Sequence, residues 1–116
     1  MEVRAILRNY RVSPRKARLV ADQIRGKGVE DALGILSLST KRVARPLEKL
    51  LRSALANAEG ANETRKAGID VDNLVVSTIT VDQGPAMWRI RPRAQARANW
   101  VQKRTSHVTV VLAEKD

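Results

Sequence analysis

An α+β domain with a protruding β-hairpin is the fold class this sequence predicts, and three observations predict it. Apolar residues recur at helical spacing in three segments between Pro14 and Ala58. β-Branched runs occupy Leu74 to Val81 and His107 to Leu112, and Gln83 to Ala113 carries six basic residues and no acid. At 116 residues the chain suits a single domain, 1–116, with room for one modest core. Residues 82–103 form the extended hairpin in this reading.

The elements follow in order. Glu2 to Val12 alternates Val3, Ala5 and Leu7 with Arg4, Ile6 and Arg8, the pattern of an edge strand. Ser13-Pro14 reads as an N-cap followed by proline at the first helical position, and Ala17, Val20, Ala21 and Ile24 share one face of the helix that follows. Gly26 and Gly28 end it. A short second helix over Val29 to Leu38 places Val29, Ala32, Leu33 and Leu36 on one side. The third carries the longest stripe, Val43, Leu47, Leu50, Leu51, Ala54, Leu55 and Ala58. Pro46 falls inside that stripe, so the helix either begins near Arg45 or carries a kink. Gly60 to Asp72 is polar and reads as a loop. Leu74 to Val81 and His107 to Leu112 are expected to be two strands of one sheet.

Charge narrows the function. The 22 Lys and Arg against 12 Asp and Glu give +10, which points to a polyanion. Met1 to Gly28 holds +6 and Gln83 to Ala113 another +6, whereas Val29 to Asp82 sums to −1. The sequence has no Cys, one His and no P-loop or dinucleotide fingerprint, so an enzyme is not the expectation, and no cofactor or metal is. No apolar run suggests a signal peptide or a membrane span, which makes the cytoplasm the expected location. The lone His107 is expected to be structural.

From Leu74 to Leu112 the chain reads as two long arms. With roughly 19 residues each at about 3.3 Å per residue, they reach on the order of 60 Å, far beyond a compact domain's radius of gyration of about 13 Å. Arg89, Arg91, Arg93 and Arg97 share parity along the arms and offer planar forks for phosphate. Trp88 and Trp100 offer rings for stacking on unpaired bases, with packing across the ribbon as the alternative for Trp100. A second cluster, Arg15, Lys16 and Arg18, falls in the first helical turn beside Arg8 and Arg11, where cations oppose the helix dipole unless an anion screens them. Lys41, Arg42, Lys103 and Arg104 extend the candidate RNA-binding set.

The runs SPRKARLVADQIRGK (13–27), SALANAE (53–59), VDQGPAMWRIRPRAQARA (81–98) and KRTSHVTVVL (103–112) carry a resemblance. Together they resemble the bacterial large-subunit ribosomal protein L twenty-two family, the universal uL twenty-two family, over nearly the whole chain. The resemblance implies three helices packed on a small three-stranded antiparallel sheet, with a long hairpin in the nascent-peptide exit tunnel. It also implies 23S rRNA, neighbouring large-subunit proteins and the nascent peptide as partners, a role in subunit assembly, and a chain that is monomeric when free. By the same resemblance the tunnel tip comprises Gly84, Pro85, Met87, Trp88, Arg89, Ile90, Arg91, Pro92 and Arg93. Trp88 stands where the family often has lysine, Ala96 where it often has glycine, and Arg91 is an added charge. The rival reading is a free-standing DNA-bending protein, because basic β-arms ending in proline can wedge a minor groove. Such proteins usually dimerise, and the third helix's stripe suffices only for the domain's own core.

Overall fold

The structure, a computed structural model, describes residues 2–65, 68–93 and 97–114, with the side chains of all of these except 65, 89–93 and 97–101. The chain runs β1 (Glu2–Tyr10), α1 (Pro14–Ile24), α2 (Val29–Leu38), α3 (Ala44–Arg65), a 3-10 turn (Val71–Asn73), β2 (Leu74–Gln83), β3 (Met87–Arg93), β4 (Arg97–Lys103) and β5 (Ser106–Glu114). Strands β1, β5 and β2 form an antiparallel sheet in that order, and β3 and β4 form a separate two-stranded ribbon. The α+β architecture expected from the sequence is therefore present.

Ser13 caps α1, its side chain accepting from the Lys16 N–H, and Pro14 sits where a missing N–H costs nothing. Pro46 is harmless for the same reason: α3 begins at Ala44, so its third residue has no intrahelical acceptor to lose. The helices cover one face of the sheet. Val108, Val110 and Leu112 of β5 point under them, with Leu47, Leu51, Ala54 and Ala58 of α3 and Val20 and Ile24 of α1 closing an aliphatic core. Along β5 buried residues alternate with half-buried ones, as in an antiparallel sheet with one face toward water.

Two expectations need correction. The segment after Ala58 is not a loop from Gly60 onward, because α3 continues to Arg65. Ala61 extends the buried stripe by a turn, and the Asn62 side chain holds the returning chain, donating to the Ile69 carbonyl at 2.7 Å and accepting from the Ile69 N–H at 2.7 Å. That packing outweighs the cost of about 1 kcal/mol for Gly60 inside a helix. The two long arms are also not continuous. Pairing between β2 and β5 ends at Gln83–Ser106 and resumes at Met87–Lys103. Pro85 lies in that break and lacks the N–H a ladder needs.

Bulges set the faces. Between Val76 and Thr78 the register slips, so Leu74 and Val76 are buried on one side of the slip, and Ile79 and Val81 on the other. A regular strand would have turned Thr78 and Thr80 into the core. In β1 the slip falls between Leu7 and Tyr10, where Asn9 adopts φ 55° and its N–H donates to His107 Nδ1 at 3.0 Å. Asparagine tolerates that left-handed backbone better than most residues. The ribbon carries the molecule out to 64 × 27 × 18 Å, with a radius of gyration of 17.4 Å, well above the roughly 13 Å of a compact chain this size.

Candidate nucleic-acid interface

The fold brings distant cations to one place. The turn after β1, the first half of α1, the approach to α3 and the foot of the ribbon border a groove of about 710 Å³. Arg11, Lys16, Lys41, Arg42, Lys103 and Arg104 line it, together with Val12, Ser13, Leu19, Val43 and Gln102. No acid belongs to this lining, and among the described residues none of its cations has a carboxylate partner, the ion pairs there being Arg25–Asp22 and Arg52–Glu48. Arg104 is steadied by Gln102 Oε1, which accepts from its Nε at 3.3 Å. Uncompensated cations around one concavity repel each other and focus a positive potential, an arrangement that favours an anion arriving from solution.

Six cations proposed from sequence thus converge; apart from the four arginines of the ribbon, three others do not. Arg8 and Arg15 are exposed outside the groove lining. Arg18, grouped by sequence with Arg15 and Lys16, serves the fold instead, because its Nε and Nη2 donate to the Val81 carbonyl at 3.2 and 3.0 Å. Arg25, two turns along the same helix, donates to the Ile79 carbonyl at 2.8 Å. Both acceptors belong to β2, an outer strand of the sheet. Further along the same edge, Val76 exchanges backbone hydrogen bonds with Gly26 and Lys27 at 2.9 and 2.8 Å. The groove residues Leu19 and Gln102 are not evident from sequence as site residues. Leu19 leaves one trace there, as the large apolar residue lying off the buried stripe of α1.

The ribbon stands beyond the groove. Its register pairs Arg89 with Val101, Arg91 with Asn99 and Arg93 with Arg97, so these positions share one face, while positions 88, 90, 92, 98, 100 and 102 share the other. The expected alignment of the four arginine positions holds at the level of the backbone. Met87 and Trp88 are 45% and 58% exposed, so the fold itself does not bury them. Trp100 lies on the same face as Trp88 by register, its side chain being outside those described, and Ala96 lies outside the described residues.

The joint between domain and ribbon is tight. Gly84 N–H donates to the Thr105 carbonyl at 2.9 Å, Thr105 Oγ1 donates to the Pro85 carbonyl at 2.6 Å, and Ser106 Oγ donates to the Val12 carbonyl at 2.7 Å. A side chain at Gly84 would meet Thr105 Oγ1 at 2.5 Å and the His107 ring at 3.1 Å. His107, tied to Asn9, is thus part of this joint.

Comparison with known proteins bears on the whole assembly of sheet, groove and ribbon. The family model described as ribosomal protein L22p/L17e matches residues 5–113. The chain belongs to that family. Two curated relatives are the large ribosomal subunit protein uL22 of Maridesulfovibrio salexigens, 53% identical over 98% of this chain and 99% of the relative, and that of Geobacter metallireducens, 54% identical over 99% and 100%. L22p/L17e is a family of structural ribosomal proteins, not of enzymes. Its match takes in every groove-lining residue and all of β3 and β4. Among the described residues no helix is long and apolar enough to cross a membrane.

Proposed function

We propose that this chain is an architectural protein of the large ribosomal subunit that binds 23S rRNA through the cationic groove and the ribbon. The observation carrying this reading is the acid-free groove, where cations from four separate parts of the sequence meet without carboxylate partners among the described residues. Phosphate supplies the missing counter-charge, and the ribbon, marginal as an isolated pair of strands in water, gains support from the same polyanion. The names of the relatives agree with this placement. The ribbon's reach, together with the family resemblance of Gly84 to Arg93, supports a position along the nascent-peptide exit tunnel. Neighbouring large-subunit proteins and the nascent chain are then further partners, and the free protein is a monomer in the cytoplasm.

The test uses the chain as the only copy in a cell. Removing Ile90 and Arg91 together with Asn99 and Trp100 takes two residues from each arm, so the remaining pairs keep their partners and faces. The ribbon shortens by about 7 Å. Subunits should still assemble and retain the protein through a high-salt wash, while macrolide susceptibility or nascent-chain stalling changes. Absence of the parent protein from washed large subunits would overturn the rRNA assignment. Intact subunits with unaltered drug response and stalling would overturn the tunnel assignment.

A further inference from the structure

The groove is not purely cationic. Leu19 is 56% exposed on α1, a large aliphatic side chain that the domain's own packing does not use, although Ala17, Val20, Ala21 and Ile24 of the same helix are buried. It lies one turn from Lys16, on the same side of the helix, and the half-buried Val12 lines the same concavity, with the core residue Val43 beneath. Phosphate recognition alone gives no reason for this. A cation meets a phosphate oxygen through charge and hydrogen bonds, and an aliphatic side chain beside it finds nothing apolar on the phosphate to pack against.

A partner that uses both features carries a phosphate and a flat, weakly polar face close together. Unpaired nucleotides have that chemistry, since their base faces are open. In an RNA duplex the faces are hidden in the stack, and the helix shows phosphates and 2′-hydroxyls. A duplex lying across this surface would engage the cations and leave Leu19 in water. The size agrees as well: about 710 Å³ lies in the range of roughly 300–1,000 Å³ that accommodates small organic ligands, too little for a double helix to enter. Ser13 and Gln102 add hydroxyl and amide groups able to meet base edges.

We propose that the groove takes an unpaired nucleotide from an RNA loop or junction, its base against Leu19 and Val12 and its flanking phosphates on Lys16, Arg42 and Arg104. This rests on the reading of the same surface as an rRNA interface and adds which form of RNA it selects. The domain end then grips loops while the ribbon follows backbone, so one protein can hold two differently structured RNA segments.

The experiment measures binding of the full chain to two labelled RNAs with equal numbers of phosphates, a stem-loop with an unpaired loop and a fully paired duplex, at one salt concentration. The parent should favour the stem-loop by about tenfold, the scale expected when one half-exposed leucine side chain is taken out of water against a base. Leu19→Ser should remove most of that preference while changing duplex affinity by less than about twofold, and Leu19→Phe, which offers a ring for stacking, should increase it. Exposed Leu19 can be replaced without emptying the core, and a thermal melt confirms that each variant is folded. Equal affinity of the parent for both RNAs overturns the proposal, as does a loop preference that survives in Leu19→Ser, since the loop would then be read elsewhere. Failure of the parent to bind either RNA overturns the rRNA reading itself, a result distinct from the other two.

Discussion

Gly84→Ala should destabilise the protein by about 2 kcal/mol, although Gly84 lies at the ribbon's foot and outside the aliphatic core. The added Cβ would stand 2.5 Å from Thr105 Oγ1, 3.1 Å from His107 Cε1 and 3.2 Å from His107 Nε2. Neither neighbour is free to retreat. Thr105 is bonded through Oγ1 to Pro85 and through its carbonyl to the Gly84 N–H, and His107 Nδ1 accepts from Asn9. Overpacking of this kind costs about 1–3 kcal/mol, and losing the Thr105–Pro85 bond adds up to about 1 kcal/mol. At about 4 °C per kcal/mol for a domain near this size, Tm should fall by about 8 °C. The assay is a thermal melt of four proteins: parent, Gly84→Ala, Thr105→Ala and the double variant. Thr105→Ala alone should cost about 1 kcal/mol through its lost hydrogen bond. The double variant should lose less than the two singles combined, because removing Oγ1 makes room for the new methyl. A Gly84→Ala protein that melts within a degree of the parent, or singles that simply add, would show that the joint is not rigidly packed.

Two further predictions concern the arginines and lysines of α1 and its groove. Arg18→Gln should lower stability by about 1 kcal/mol in urea unfolding, because the Val81 carbonyl loses two donors, whereas Lys16→Gln should shift it by less than about 0.5 kcal/mol; equal effects would deny Arg18 its structural part. Binding to rRNA should weaken steeply with salt, and replacing Lys16, Arg42 and Arg104 together with Gln should reduce the log-log slope by about 2–3, so an unchanged slope would remove them from the phosphate-contacting set.

What could be read from sequence was whatever depends on near neighbours. The stripes of α1 and α3 and the Ser13-Pro14 start follow from spacing and cap chemistry within a few residues. The slip at Ser77 was not legible, because Leu74 to Val81 is so rich in β-branched residues that either phase looks acceptable; only pairing with β5 decides which side is buried. The extension of α3 past Gly60 depends on Asn62 reaching Ile69, a contact that polar composition disguises as a loop. The site divides the same way. Basic residues were visible one by one, but the groove is assembled from segments more than 80 residues apart, and nothing local separates Lys16, which lines it, from Arg18, which turns to Val81.

The sealed side of β2 matters most before the protein has met its ribosome. A chain with this charge is made free and must stay dispersed until it is assembled. A sheet's outer strand ordinarily offers unpaired carbonyls and N–H groups to any passing strand, the first step toward aggregates. Here Arg18 and Arg25 occupy the Val81 and Ile79 carbonyls, and the turn after α1 satisfies Val76. An incoming strand would have to displace two guanidinium groups to add itself, and it would meet like charge if it came from a second copy. The same side chains that raise the pI therefore act as wardens of the unassembled protein, and replacing both with apolar residues should send newly made chains into inclusion bodies before any RNA contact is lost.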